Sequence, residues 1–254
     1  MVEVKQVLSQ LQPQVVINAA AYTAVDKAET TREVCFAVNA EGFKNLAEAS
    51  QAIGAKLIQI STDYVFGKVP TERRPHTEDD QPCPIGVYAE SKLAGEAAAF
   101  SNPNSVVVRS CGLYGRPGPT ATGNFVTTMV RLGQERDSLD IVNDQHCTPT
   151  SVAELAQAVC YLAESDEKGL FHVTNDGDTT WHGLAEKIFE LAGIDCQAVP
   201  ITTEQYGAPA HRPRYSVLDI SKYQATAGPK MSRWEDALDS YLQLIQSGQI
   251  SVTS

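Results

Sequence analysis

The sequence lacks long apolar runs and any stripe of basic residues. No apolar run approaches the roughly 18 residues that a membrane-spanning helix requires, and the first residues show no basic region followed by an apolar stretch. The formal net charge is -11, with lysines and arginines scattered singly, which argues against a surface that binds polyanions. We therefore expect no membrane and no nucleic acid as partners, and predict a cytoplasmic protein.

The sequence also lacks metal-ligand and disulfide patterns. Its six cysteines form no CxxC pair and no short secreted framework, so most are expected to be buried thiols in a reducing compartment. Its five histidines show neither HxH nor HxxxH spacing. The acidic run of residues 78–80, beside prolines, is typical of a solvated loop. We predict no catalytic metal.

What the sequence does contain is a regular alternation of helical and extended segments up to Arg109. With 43% apolar residues, a chain of 254 residues can bury one sizeable core, or a core plus a smaller lobe. Apolar spacing predicts helices over residues 4–11, 34–49 and 88–100, and strands over 15–17, 57–60 and 106–108. Such runs of βαβ units build doubly wound parallel sheets, so we predict a Rossmann-like α/β fold.

Beyond Arg109 the pattern loosens into a loop rich in glycine and proline over residues 112–123. Helices are predicted at about 124–135, 151–164, 181–191 and 233–245, and strands at 141–142 and 170–173. No linker separates two domains. We predict a Rossmann-like domain over residues 1–110, with returning segments at about 151–175, and a smaller, interleaved lobe over most of residues 111–254.

Tyr88 and Lys92 lie four residues apart on one face of a predicted helix. By itself a YxxxK pair is a weak signal that also fits a solvated helix face. Asn18 follows the first predicted strand, and Thr62 and Asp63 follow the second. Because the carboxyl ends of parallel strands share one edge of a sheet, and the Tyr88 helix begins near that edge, these segments are expected to converge on one crevice.

Three motifs resemble the dTDP-4-dehydrorhamnose reductases of the extended short-chain dehydrogenase superfamily: NAAAYTAVDKAE at residues 18–29, STDYVFG at 61–67 and YAESKLAGE at 88–96. The match continues with NF at 124, VNDQ and PT within 142–150, TTWH at 179–182 and RP at 212. YxxxK identifies only the superfamily, whereas AAYTAVDKAE and NDQ with PT narrow the resemblance to these reductases. It implies NADPH-dependent reduction of the C4 ketone of dTDP-4-dehydro-L-rhamnose to dTDP-L-rhamnose.

The resemblance implies three catalytic residues. Tyr88 would be the general acid that protonates the C4 oxygen as hydride arrives. Since a free phenol has a pKa near 10, a neighbouring ammonium is needed to favour the phenolate, and Lys92 would supply it while holding the nicotinamide ribose. Thr62 would donate a hydrogen bond to the same oxygen. The alternative for Thr62 is a strand-end hydroxyl that caps the backbone.

The resemblance also implies the ligand contacts. The residues expected to touch the cofactor are Asn18, Ala21, Tyr22, Thr23, Tyr88 and Lys92, since small side chains at a strand end admit a dinucleotide. Those expected to touch the substrate are Thr62, Asp63, Asn124, Asn143 and Arg212. Asp63 would face the sugar, or be a simple turn carboxylate. The last three would hold the diphosphate, although each alone is also typical of a surface or turn position.

The sequence departs from the family pattern in two places. It contains no GxxGxxG turn for the cofactor pyrophosphate, so roughly 40 residues are expected to be missing before the first helix, leaving the first strand with an open edge. The missing turn is expected to make NADPH binding too weak to measure at ordinary micromolar concentrations, which is a reason for this chain to be inactive. Gly112 stands in RSCGLYG where the family commonly has an aromatic residue, which is expected to weaken stacking on the substrate.

Several alternatives stay open at this point. A related reductase or epimerase acting on another nucleotide sugar would share Tyr88 and Lys92. A non-catalytic regulatory subunit of the same fold is a second class, as in relatives that form complexes with a methionine adenosyltransferase. The missing glycine-rich turn favours that class, and the intact Thr62, Tyr88 and Lys92 argue against it. NADH as cofactor and a homodimer are also left open.

Overall fold

The computed structural model describes residues 2–68, 73–116 and 123–250. The chain divides into two compact units, each built from separate segments. The first unit comprises Met1–Ser110, Gln157–Val173 and Pro209–Pro229, and the second comprises Cys111–Ala156, Thr174–Ala208 and Lys230–Ser254. In the part of the chain that the structure describes, no helix combines the length and apolar character that crossing a membrane requires.

The structure confirms a mixed α/β fold. The helices are α1 (Val2–Leu11), α2 (Val25–Ala28), α3 (Arg32–Phe36), α4 (Gly42–Ala52), α5 (Val87–Ala99), α6 (Phe125–Glu135), α7 (Val152–Glu164), α8 (Trp181–Ala192), α9 (Thr203–Tyr206), α10 (Ser221–Gln224) and α11 (Trp234–Gln246). The strands are β1 (Val15–Asn18), β2 (Lys56–Thr62), β3 (Ser105–Ser110), β4 (Leu113–Tyr114), β5 (Ser138–Val142), β6 (His146–Cys147), β7 (Thr150–Ser151), β8 (Gly169–His172), β9 (Thr179–Thr180) and β10 (Gln197–Ile201).

The first unit contains the predicted parallel sheet, in the order β1-β2-β3-β8. Strands β2 and β3 lie in the middle and are buried along almost their whole length, as expected for β-branched strands covered on both faces. Among the described strands only β2 pairs with β1, and the Ile17 side chain on β1 is 47% exposed. The carboxyl ends of β1 and β2 therefore lie side by side at one edge of the sheet.

The helix predicted over residues 34–49 is interrupted in the structure. A π-helical turn, Ala37–Glu41, separates α3 from α4. Asn39 lies in this turn and is fully buried, and its amide bonds to the chain that follows β1. Apolar periodicity could not reveal the interruption because a π turn inserts one residue per turn without changing which residues are apolar.

Helix α5 packs very closely on this π-helical turn at Gly95. A Cβ atom added there would overlap the carbonyl oxygen of Asn39 and the ring of Phe43. We therefore expect Gly95→Ala to lower the free energy of unfolding by about 1–3 kcal/mol through overpacking. The measurement is urea unfolding followed by circular dichroism.

Gly42 is the matched control for Gly95, because it too lies in a helix. A Cβ atom there would meet only the Ala37 carbonyl oxygen, at an ordinary 3.5 Å. Gly42→Ala should therefore raise stability by about 0.5–1 kcal/mol through a lower entropy of the unfolded chain. Equal effects of the two substitutions would contradict the close approach at Gly95.

The second unit has its own apolar core, in which α6, α8 and α11 pack together with β5. Its strands form three short pairs: β10 with β5 and β4 with β7 run parallel, and β6 with β9 runs antiparallel. Helix α8 is capped at its start by Thr180, whose hydroxyl accepts a hydrogen bond from Gly183 N. It ends at Gly193, which has a left-handed backbone. Part of the predicted glycine- and proline-rich loop, residues 117–122, lies outside the described residues.

Candidate active site

Thr62 is the last residue of β2 and its side chain is buried. Its hydroxyl accepts a hydrogen bond from Tyr64 N at 3.2 Å and donates one to Asp63 Oδ1 at 3.1 Å. The first contact is the backbone cap that the sequence offered as the alternative for Thr62. The second contact directs the hydroxyl proton toward a carboxylate.

Asp63 is buried, at 2% exposure. One carboxylate oxygen accepts the Thr62 hydroxyl, and the other accepts the hydroxyl of Ser216 at 2.5 Å. The structure thus gives Asp63 a local task, which is to orient Thr62. Its contact with a sugar stays a prediction.

Helix α5 carries Tyr88 and Lys92 to the same edge of the sheet. The ring of Tyr88 meets the ring of Tyr64 edge-on, with centroids 5.6 Å apart. The Lys92 ammonium donates to the Ile60 carbonyl oxygen at 2.7 Å and lies 4.8 Å from the centroid of the Phe43 ring. Both side chains of the YxxxK pair therefore contact the segment that contains Thr62.

The start of α5 is held by a residue that the sequence did not single out. Gly86 precedes the helix, and the Glu29 carboxylate accepts a hydrogen bond from Val87 N at 2.9 Å. A carboxylate at the first turn also interacts favourably with the positive end of the helix dipole. Since Glu29 ends the NAAAYTAVDKAE motif and Tyr88 follows Val87, this contact ties that motif to the start of α5.

Lys92 is almost fully buried, at 3% exposure. Burial lowers the pKa of its ammonium to about 8, while the electrostatic interactions with Glu96 and, to a smaller extent, Cys35 act in the opposite direction. The side chain is therefore mainly protonated at neutral pH and loses its charge in mildly alkaline solution.

The predicted cofactor segment after β1 is fixed by two buried amides. Asn18 donates to Gln59 Oε1 at 2.8 Å and accepts from Ala20 N at 3.1 Å, so it shapes the turn. The Asn39 amide accepts from Tyr22 N at 2.8 Å and donates to the Tyr22 carbonyl oxygen at 3.1 Å. The side-chain amide of Asn39 also donates to Ser91 Oγ at 3.0 Å. The segment of residues 21–23 is thereby linked to α5 between its two predicted catalytic residues.

These residues fit the nicotinamide ribose half of a dinucleotide. Small, exposed side chains, Ala19 and Ala20, follow β1, so a ligand can approach the backbone there. A protonated Lys92 has three N–H donors, of which the bond to Ile60 uses one. A ribose hydroxyl is a suitable partner for another donor.

Arg212 lies in the first unit and forms an ion pair with Asp26, its NH2 group 2.8 Å from Oδ2. Asp26 also accepts from Ala210 N at 3.1 Å. Hydrogen bonding from the guanidinium lowers the pKa of the Asp26 carboxyl. The arginine is thus held in place by a carboxylate of the AAYTAVDKAE motif, and its contact with a diphosphate stays a prediction.

Asn124 and Asn143 lie in the second unit. Asn124 caps α6: its side chain accepts from Thr127 N at 3.1 Å and donates to the Gly115 carbonyl oxygen at 2.8 Å. These contacts give Asn124 a local role in capping α6, and its contact with a diphosphate stays a prediction. Asn143 is exposed, and its amide oxygen accepts the Thr180 hydroxyl at 2.7 Å, so it is the better placed of the two to meet a ligand.

Gly112, at the position where the resemblance implies an aromatic residue, lies in a tight local packing. Gly112 has φ +54°, and a Cβ atom there would lie 3.1 Å from Pro149 Cα and 3.2 Å from the Thr148 carbonyl oxygen. A side chain at this position would combine left-handed backbone with crowding by a rigid neighbour. The local packing therefore leaves no room for a side chain at this position.

We expect Gly112→Ala to lower the free energy of unfolding by about 2 kcal/mol or more. Gly193 is the control, because it has φ +66° but nothing within 4 Å of an added Cβ atom. Gly193→Ala should cost about 1 kcal/mol, from the backbone alone. Chemical unfolding of both variants measures the difference, and a smaller cost at Gly112 would contradict the crowding.

No three His, Cys, Asp or Glu side chains among the described residues cluster closely enough to hold a metal ion. The acidic run predicted as a solvated loop is in fact partly enclosed. Glu78 accepts a hydrogen bond from His172 N at 2.8 Å, and Asp80 pairs with Arg74 at 2.7 Å. These carboxylates therefore serve the packing of the first unit.

Comparisons with known proteins bear directly on this site. A family model described as the RmlD substrate binding domain matches residues 1–247. A dTDP-4-dehydrorhamnose reductase of Streptomyces griseus is 42% identical over 243 residues, which cover 92% of this chain and 78% of that protein.

Solved structures give the same result. A dTDP-4-dehydrorhamnose reductase of Clostridium acetobutylicum has a TM-score of 0.90 at 40% identity, with 96% of this chain and 85% of that chain covered. One of Bacillus anthracis, solved in complex with NADP, has a TM-score of 0.89 at 39% identity, with 95% and 84% covered. With Thr62, Tyr88 and Lys92 gathered at one sheet edge, and a family match over nearly its whole length, this chain belongs to the dTDP-4-dehydrorhamnose reductase family.

Proposed function

We propose that this protein reduces the C4 ketone of dTDP-4-dehydro-L-rhamnose to dTDP-L-rhamnose with NADPH. The observation that carries the proposal is the approach of α5 to β2, where Lys92 bonds to Ile60 two residues before Thr62. That approach directs a phenol, an ammonium and a hydroxyl to one edge of the sheet. NADPH supplies the hydride when it is bound.

Tyr88 gives its phenolic proton to the C4 oxygen, and the Lys92 ammonium stabilises the phenolate that remains. This is why the charge of Lys92 matters even though the lysine transfers no proton to the sugar. The same ammonium holds the ribose through its other N–H donors.

Thr62 must turn in order to act on the ketone. Its single hydroxyl proton points at Asp63 in this structure, so donation to the C4 oxygen requires the hydroxyl to rotate away from that carboxylate. Ser216 continues to donate to Asp63 at 2.5 Å during this rotation. The carboxylate therefore keeps a hydrogen-bond donor, which lowers the cost of redirecting the Thr62 proton.

Asn143 and Arg212 are the proposed diphosphate contacts, and Ala21, Tyr22 and Thr23 the proposed cofactor contacts. The arginine suits a bidentate phosphate contact, and Asp26 would then share it with the ligand. A cytoplasmic location and a homodimer belong to the same proposal.

The test is to follow NADPH oxidation with dTDP-4-dehydro-L-rhamnose and to identify the product by mass spectrometry and NMR. We expect one dTDP-L-rhamnose per NADPH consumed, with NADPH raised until the rate no longer depends on it. Turnover of a different keto sugar nucleotide alone would assign the chain to a related reductase. Binding of a protein partner without any turnover would favour a regulatory subunit instead.

A further inference from the structure

A buried ion pair lies one turn beyond Lys92 on α5. Arg109 of β3 forms a bidentate ion pair with Glu96, in which Nε lies 2.9 Å from Oε1 and NH2 lies 2.7 Å from Oε2. Glu96 is 2% exposed and Arg109 is 3% exposed. A fully buried ion pair contributes little net stability, because removing both charges from water costs about as much as their attraction gains.

The ion pair also holds the strand that ends in Thr62. Ser61 donates its hydroxyl to Glu96 Oε1 at 2.5 Å, and the residue before it, Ile60, accepts from Lys92. Side chains from two successive turns of α5 thus form hydrogen bonds with Ile60 and Ser61, the two residues of β2 immediately before Thr62. Through Arg109, the same contact fixes β3 in place beside them.

We propose that Glu96 is a positioning residue for the reductase reaction, which sets the distance of α5 from Thr62 and keeps the Lys92 ammonium charged. The proposal rests on the proposed function for its effect on turnover. Glu96 need not touch the substrate, because it acts through Ser61 on one side and through the charge of Lys92 on the other.

Among the described residues, few charged groups act on Lys92. Glu96 on the same helix and Cys35 on α3 both raise its pKa. From β2 and α4 the contacts are the Ile60 carbonyl and the Phe43 ring, which do not titrate. On β8, His172 lies 3.4 Å from Arg109, and burial lowers its pKa to about 3, so it adds no positive charge. Glu96 is therefore the main anion that favours the Lys92 ammonium.

The test is Glu96→Gln, which keeps a hydrogen-bonding side chain but removes the charge. Because turnover needs the ammonium, the rate should fall on the alkaline side, and we expect this fall to begin about one pH unit lower in the variant. The effect should appear in kcat more than in KM. Glu90→Gln is the matched control: Glu90 is on the same helix but pairs with Arg32 in solvent, and its pH profile should match that of the unchanged protein.

A second variant guards against loss of the fold. Glu96→Gln combined with Arg109→Met leaves no unpaired guanidinium, so it should fold even if the single variant does not. In this double variant too, we expect the alkaline fall in rate to begin at a lower pH than in the unchanged protein. Lower stability with an unmoved alkaline limb, in whichever variant folds, would overturn the proposal and leave Glu96 a purely structural role.

A readout independent of turnover separates this proposal from the proposed function. The gain in free energy of unfolding caused by Lys92→Met should begin to shrink near pH 8 when Glu96 is present. In the Glu96→Gln background it should begin to shrink at a lower pH. If the protein reduced no sugar at all, this shift would still be expected. Identical pH dependence in both backgrounds would refute the electrostatic effect of Glu96.

Discussion

Tyr88→Phe should lower kcat by about 10²–10⁴-fold, because it removes the proposed proton donor. The ring is kept, and with it the packing of Tyr88 in the cluster of Ala28, Cys35 and Val87 and its edge-on contact with Tyr64. The fold and the affinity for NADPH should therefore change little. The measurement is the rate of NADPH oxidation at saturating sugar nucleotide, together with the unfolding curve.

Tyr206→Phe is a suitable control, since Tyr206 is 58% exposed in the second unit and has no proposed role in the reaction. It should retain the full rate. A Tyr88→Phe variant with more than a tenth of the original kcat would show that another group donates the proton.

Lys92→Met should abolish most of the activity and at the same time stabilise the protein at neutral pH. Burial lowers the pKa of Lys92 from 10.5 to about 8, which corresponds to a cost of ~3 kcal/mol for keeping the ammonium charged in the folded state. Methionine avoids this cost. It also gives up the bond to Ile60 and the contact with Phe43, so the net gain should be smaller.

The sign of the pH dependence follows from the same shift. Between pH 8 and 10.5 the unfolded chain binds more protons at this lysine than the folded one, so stability rises with pH in the unchanged protein. Below pH 8 the penalty is fully present, and above 10.5 it is gone. The advantage of Lys92→Met should therefore shrink across this interval, as chemical unfolding at a series of pH values will measure.

Lys222 supplies a matched control for Lys92. Its ammonium also donates to a carbonyl oxygen, that of Leu170 at 2.7 Å, and lies 4.6 Å from the centroid of the Phe171 ring. Unlike Lys92, it is exposed. Lys222→Met removes the same two contacts without relieving a burial cost, so it should bring no gain in stability. A gain at both positions would contradict the explanation by burial.

The sequence predicted the elements that have strong local signals. The β-branched strands β2 and β3 and the alanine-rich α5 were expected within a few residues of their bounds. Strand β10 was not expected, because it contains Pro200 and no fully buried residue. Proline is tolerated there since, among the described strands, β10 pairs on one side only, with β5. The two-residue strands of the second unit are too short to show any periodicity.

For the site, one rule was sufficient to select Thr62, Tyr88 and Lys92 as candidates: the carboxyl ends of parallel strands lie at the same edge of a sheet. It could not reveal partners that depend on tertiary contacts. Arg109 looks like the polar end of a buried strand until α5 is packed on the sheet, which brings Arg109 into contact with Glu96. Asp26 and Arg212 are 186 residues apart, so no local pattern connects them. The YAESKLAGE motif did contain Glu96, and a carboxylate four residues after Lys92 was the available signal.

The amide of Asn39 does for the chain after β1 what a neighbouring strand does elsewhere in the sheet. It pairs with both backbone polar groups of Tyr22, as a peptide unit would. A strand secures its neighbour through a ladder of several such bonds, whereas here one side chain provides both. One of the two hydrogen bonds that Asn39 makes to Tyr22 comes from its side-chain nitrogen, and replacing that nitrogen with oxygen, as in Asn39→Asp, would turn attraction for the Tyr22 carbonyl into repulsion.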